Sequence, residues 1–224
     1  VDYRLAPRHP FPAGLNDCLT ATAFVREHAE ALGIDKQRVA LGGDSAGGAL
    51  AVAVSLALRD GGEENACFLL LVYPVADARQ ASESMKELAN APLWNAAATK
   101  KMWEFYLGGG APLPRAYANP LEAESFAGLP DAYVEVSQFD CLRDEGIALA
   151  RALQSGGARV ELNETRGTTH GFETICDRRI VAEAVERRSR VLRAGFYGAF
   201  SVPIRQNCAE KAVGAGEETG ETNG

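Results

Sequence analysis

The sequence predicts an α/β fold built on a mainly parallel sheet, and three observations carry that prediction. Apolar runs of strand length alternate with segments of helical period. The strands Val39–Leu41 and Cys67–Tyr73 flank a helix, Ala46–Leu58, that is apolar nearly all round. The second half of the chain then repeats the same rhythm. With 224 residues and 46% hydrophobic content, the chain can bury a sizeable core in one domain and support an insertion.

Taken in order, Val1–Leu5 is extended, and "APRHPFPAG" follows, in which Pro7, Pro10 and Pro12 keep any helix from starting. From Asn16 to Leu32 the apolar positions Leu19, Phe24, Val25 and Leu32 fall at helical spacing, with Gly33 as the stop. After the Val39–Leu41 strand and the Ala46–Leu58 helix, "RDGG" ends the helix and Cys67–Tyr73 reads as a buried strand. The second half gives strand Ala132–Ser137, helix Asp144–Gln154, strand Arg159–Glu164 and a last helix from about Arg178 to Phe196.

Between Asp77 and Pro120 the alternation stops. That stretch holds both tryptophans, Trp94 and Trp103, with Phe105 and Tyr106, and reads as an insertion with some helix. The predicted organisation is therefore a core in two parts, 1–76 and 121–200, with an insertion at 77–120. The residues from 207 to 224, rich in Gly and Glu and without aromatics, read as a disordered tail.

Composition excludes several functions. A net charge of −7 would repel phosphate backbones and anionic membranes, so no nucleic-acid partner is expected. The longest apolar run, Ala66–Ala76, is too short to span a bilayer and is broken by Pro74, so no integral membrane segment is expected. Five cysteines without a CxxC pair fit reduced thiols and a cytoplasmic setting. The chain begins at Val1 inside a strand-like stretch, so its start looks cut, and the presence of a signal peptide is left open.

The chemistry centres on "LGGDSAGG". A G-x-S-x-G match arises by chance in roughly one chain in ten of this length. Here, however, Ser45 stands between a strand and a helix, the setting that a nucleophile on a sharp turn requires. A serine hydroxyl is a poor nucleophile without a neighbouring base. Of the three histidines, His28 lies on the amphipathic helix beside Arg26 and Glu27, and His9 reads as a turn residue. His170, in "RGTTHGF" after a strand, is the base by elimination.

The order serine, acid, histidine puts the acid between them. Asp140, just beyond strand Ala132–Ser137, is the candidate, its other reading being a helix N-cap. Asp144 and Glu145 fit better as first-turn acids facing the helix dipole, and Asp77 and Asp131 sit beside the insertion.

"VDYRLAPRHPFPAGLND", "GGDSAGG", "LVYP", "FDCLRDEG" and "THGF" resemble, in order, the hormone-sensitive-lipase-like family of α/β-hydrolases over nearly the whole chain except the tail. Arg8 departs from that pattern, standing where the family usually carries Glu. The resemblance implies an α/β-hydrolase fold with helices on both faces of the sheet and a cap formed by 77–120. It implies a carboxylic ester hydrolase that takes small-molecule esters of short to medium acyl length through an acyl-enzyme. Ser45 is then the nucleophile, Asp140 the acid, His170 the base and the Ala46 N–H an oxyanion-hole donor. It implies no cofactor and no metal.

Family members also carry a His-Gly-Gly-Gly stretch upstream of "VDYRLAP", and only Gly14 and Gly33 precede Gly42 here. The resemblance thus leads one to expect that the sheet's first strands are missing, among them one between Val1–Leu5 and Val39–Leu41, and that this chain alone is a poor enzyme or an inactive fragment. A further alternative is a non-catalytic ligand binder, since the scaffold also resembles the gibberellin receptor. That receptor lacks the triad histidine, so the presence of His170 points to catalysis.

Overall fold

The computed structural model describes residues 1–108 and 115–202. Its centre is a four-stranded sheet, β1 (Leu41–Asp44), β2 (Leu69–Val72), β3 (Ala132–Ser137) and β4 (Val160–Thr165), ordered β1-β2-β3-β4 with every pairing parallel. Parallel strands in chain order need a crossover after each one. Two are helical: α3 (Ala46–Asp60) joins β1 to β2 and α6 (Arg143–Ser155) joins β3 to β4. The third, between β2 and β3, carries the helices α4 (Glu83–Glu87) and α5 (Ala96–Leu107).

Alternation along the strands sorts the two faces. Leu69, Leu71, Ala132, Val134 and Val136 pack on one face with Val52 and Leu56 of α3 and Leu149 and Leu153 of α6. On the other face Phe68 and Tyr133 meet Val191 of α7 (Arg178–Phe196), and Val72 and Tyr73 meet Phe172 and Ala184. Helices therefore cover both faces, as expected. The helix α1 (Ala13–Glu27) lies against α3, with Phe11 and Leu15 packed on Leu50, Val54 and Leu58.

Three elements depart from the sequence reading. Val1–Leu5 is not a strand: the Arg4 backbone N–H, which a ladder would need, goes to Asp17 Oδ2 at 2.8 Å, and the Arg4 guanidinium pairs with Asp17 Oδ1 at 2.7 Å. The segment is thus stitched to α1 instead of to a sheet edge. The first helix starts at Ala13, directly after Pro12, because N–H groups of a first turn need no partner within the helix. It breaks at His28, before the single turn α2 (Ala29–Leu32), where the His28 N–H and Nδ1 both meet the Phe24 carbonyl.

The strand expected at Val39–Leu41 lies instead at Leu41–Asp44, so Gly42 and Gly43 are strand residues. A Cβ on Gly43 would stand 2.3 Å from the Gly47 carbonyl carbon, closer than packed atoms come. Glycine is needed there because the first turn of α3 closes directly onto β1. The helices from Arg143 and Arg178 and the strands Ala132–Ser137 and Val160–Thr165 fall within one residue of expectation. The expected tail at 207–224 lies outside the described residues.

Among the described residues Cys18, Cys67, Cys141 and Cys176 are free thiols, and no helix is long and apolar enough to cross a membrane.

Candidate active site

Because all four strands run the same way, their carboxyl ends share one edge of the sheet, and the candidate residues leave from those ends. Ser45 follows β1, Asp140 follows β3 and His170 follows β4. The last two loops are laced together by the Gln138 N–H to the Thr165 carbonyl (3.1 Å), Phe139 N–H to the Thr168 carbonyl (2.8 Å) and Gly167 N–H to Gln138 Oε1 (2.8 Å).

Ser45 has φ 57° and ψ −119°, a backbone conformation that costs a side-chain-bearing residue roughly 1–3 kcal/mol. Its surroundings hold it there. Its N–H donates to the Val72 carbonyl at 2.9 Å, while its carbonyl accepts from Gly48 N–H at 3.0 Å and Val75 N–H at 3.1 Å. The turn lifts the side chain off the sheet edge and places the N-terminus of α3 beneath it.

A hydrogen-bond chain runs away from the hydroxyl. Ser45 Oγ lies 2.9 Å from His170 Nε2, and His170 Nδ1 lies 2.7 Å from Asp140 Oδ2. Asp140 is fully buried and His170 is 8% exposed. The other Asp140 oxygen accepts the Leu142 N–H at 2.9 Å, so the carboxylate braces its own loop as well as the imidazole. With Nδ1–H given to Asp140, Nε2 has its lone pair facing the hydroxyl, the tautomer that can take up the serine proton.

The neighbouring acids have other partners. Asp144 accepts the Ser84 N–H at 2.8 Å and tethers α4. Asp77 pairs with Arg79 at 2.8 Å and Asp131 with Arg159. His28 stacks on Phe24 at the surface.

Glu145 stands in the first turn of α6, as expected, and is buried there. It is 2% exposed and receives the Ala76 N–H at 2.8 Å, and burial pushes its carboxyl up to about 8. Over the range between the ordinary glutamate value and about 8, the folded chain holds a proton here that the unfolded chain has lost. The stability contribution is therefore present at acid pH and declines as pH rises, by about 1.4 kcal/mol per unit from this one group. In urea titrations from pH 5 to pH 8, Glu145→Gln should remove that decline; the same slope in the variant would mean that Glu145 does not titrate in this range.

Beside the serine a cavity of about 410 Å³ opens. Ala46 lines it at one end, and Trp94, Trp103, Phe105 and Tyr106 wall it from the 77–120 segment. Tyr3 and His9 also line it. The sequence reading took His9 for a turn residue and found no role for Tyr3. The only available signal was that the proline-rich loop had to pack somewhere. Trp94 links the cavity to His170, with its ring centroid 5.7 Å from that of His170 and its Nε1–H on Thr99 Oγ1 at 2.9 Å.

Comparison with known proteins agrees with this fold. The profile of a family described as alpha/beta hydrolase fold matches residues 1–174. The chain is 38% identical over 198 residues to Esterase LipI of Mycobacterium tuberculosis (strain ATCC 25618 / H37Rv), covering 87% of this chain and 60% of that protein. It is 34% identical over 195 residues to the ethyl acetate hydrolase of Pseudomonas putida, covering 87% of this chain and 61% of the other. The solved structure of a bacterial heroin esterase superposes with a TM-score of 0.81 at 38% identity, covering 89% of this chain and 63% of that one. The chain thus spans about three fifths of the length of these curated relatives.

Proposed function

The chain belongs to the α/β-hydrolase fold family, in its hormone-sensitive-lipase-like branch, and from that premise we propose that it is a carboxylic ester hydrolase working through an acyl-enzyme on Ser45. The observation that carries the reading is the unbroken chain Ser45–His170–Asp140, at 2.9 and 2.7 Å, beside an apolar cavity.

In this mechanism Ser45 Oγ attacks the ester carbonyl while its proton passes to His170 Nε2, and Asp140 stabilises the imidazolium so formed. The carbonyl oxygen becomes an oxyanion, which the Ala46 N–H and the positive end of α3 favour. As the tetrahedral adduct collapses, the carbon–oxygen bond to the alcohol breaks and His170 returns its proton to the leaving oxygen. A water molecule, deprotonated by His170, then attacks the acyl-serine and releases the acid and the free hydroxyl.

The test is a fluorophosphonate probe with tryptic mass mapping, beside the release of p-nitrophenol from short p-nitrophenyl esters. One adduct on the Ser45 peptide is expected, with steady release once the upstream His-Gly-Gly-Gly stretch that the family carries is restored and little from this chain alone; an adduct on another residue overturns the assignment.

The aromatic wall favours uncharged acyl chains of short to medium length. Trp94→Ala, which removes a ring from both the cavity wall and the His170 contact, should move the preferred p-nitrophenyl ester toward longer chains. An unaltered chain-length profile would show that Trp94 only packs the 77–120 segment onto the core.

A further inference from the structure

Tyr73 directly follows β2 with φ 34°, a value that bulky side chains rarely adopt. Nothing in the hydrolytic chain of Ser45, His170 and Asp140 requires it. The backbone there is held by the Tyr73 N–H on the Glu135 carbonyl, at 2.6 Å, and its effect is to lay the phenol ring against the base, with centroids 4.6 Å apart.

From that ring a second chain of contacts leads away from His170. The Tyr73 hydroxyl donates to Glu173 Oε2 at 3.0 Å, and Glu173 stands three residues beyond His170, in the 3-10 turn Phe172–Thr174. Arg188 of α7 donates from one nitrogen to Glu173 Oε1 and to Glu135 Oε1, each at 2.5 Å. The second Glu135 oxygen receives the Tyr133 hydroxyl at 2.6 Å. Glu135 is fully buried in the middle of β3, where a carboxylate is costly unless it is paired.

We propose that Glu173, held by Tyr73 and Arg188, is a positioning residue for His170. Asp140 holds the imidazole through its Nδ1 edge. The Tyr73–Glu173–Arg188–Glu135 chain fixes the ring that packs on the imidazole and places negative charge near it, favouring the imidazolium that forms when Ser45 gives up its proton. The inference rests on the role given to His170 above.

The charges facing this region come from every neighbouring element. Asp44 at the end of β1, Glu135 on β3 and Glu173 after β4 are acidic, as is Asp140. Arg188 on α7 is the cation among them, and Arg187 on the same helix lies by Tyr133. Tyr73 makes the link, since its ring lies on His170 while its hydroxyl is on Glu173, which sets that carboxylate one side chain away from the imidazole. Arg188 bridges two of these carboxylates, Glu135 and Glu173, which leaves one negative charge in excess on that pair, and in a partly buried setting such charges act over several ångströms.

The test uses two variants of opposite charge effect in the full chain, with the pH at which the His170 ring takes up its second proton followed by NMR. His9→Gln and His28→Gln identify the signals of the other two histidines. Glu173→Gln keeps the size and an acceptor for Tyr73 but loses the charge, and should lower that midpoint. Arg188→Met loses the cation and should raise it. Midpoints that stay together, or that move in the same direction, overturn the proposal, because a merely structural role has no reason to follow the sign of the charge.

Should Arg188→Met fail to fold, Tyr73→Phe serves in its place, since it keeps the ring on His170 and releases Glu173. It should lower kcat several-fold with KM unchanged, and an unchanged kcat counts against the proposal. The NMR midpoint needs no turnover. Failure of the esterase reading shows separately, as a missing adduct on Ser45.

Discussion

Ser45→Ala should reduce turnover of a p-nitrophenyl ester by roughly 10⁶ and abolish fluorophosphonate labelling, leaving the unfolding transition in place. The size of the effect follows from the geometry. The hydroxyl is the only group of residue 45 in the chain to His170, at 2.9 Å, and removing it leaves the base with no nucleophile to activate. Stability should be spared or slightly altered, because the turn is held by backbone bonds: the Ser45 N–H to the Val72 carbonyl and the Ser45 carbonyl to the Gly48 and Val75 N–H groups, none of which uses the side chain. Labelling that persists in the variant would place the nucleophile elsewhere.

The second large effect is expected at the acid. Asp140→Asn preserves the shape of the loop, and its side-chain carbonyl can still accept the Leu142 N–H. An amide cannot stabilise the imidazolium as a carboxylate does, and its NH2 group, turned toward His170, selects the wrong tautomer. A fall in kcat of about 10⁴ is expected, on the scale of the same exchange in a serine-protease triad. Asp144→Asn is the control. That carboxylate caps the N–H of Ser84 and pairs with Arg143, so its loss should loosen the contact between α4 and α6 and cost stability well before it costs catalysis. Comparable losses of kcat at positions 140 and 144, with both proteins folded, would identify the wrong carboxylate.

The alternation of buried strands and helices was legible because burial on both faces of a sheet demands apolar runs, continuous at Leu69–Val72 and broken at Ala132–Ser137 only by Glu135 and the terminal serine. The candidate site was legible as far as local chemistry reaches. Ser45 sits in a motif in which Gly43 has no room for a Cβ against Gly47, and His170 was the histidine in the right kind of loop. The buried charges were less so. Glu135 interrupts a strand that is otherwise apolar but for its terminal serine, and that conflict was the available signal for a partner on another element. Which partner it has depends on α7, more than forty residues further on.

By itself, then, the sequence determined the α/β class, most element positions and the three residues of the hydrogen-bond chain, since each rests on the local pattern or on the order of residues along the chain. Only the tertiary structure decided where Val1–Leu5 goes, how the aromatics of α5 meet the segment holding Tyr3 and His9, and how Tyr73 lies on His170 while Glu173 and Arg188 pair behind it. The reason is physical. Periodicity and turn chemistry act between near neighbours, whereas a strand needs a free edge, a cavity needs two walls, and a buried carboxylate needs a cation. Those partners are supplied by distant segments that meet only once the sheet has assembled.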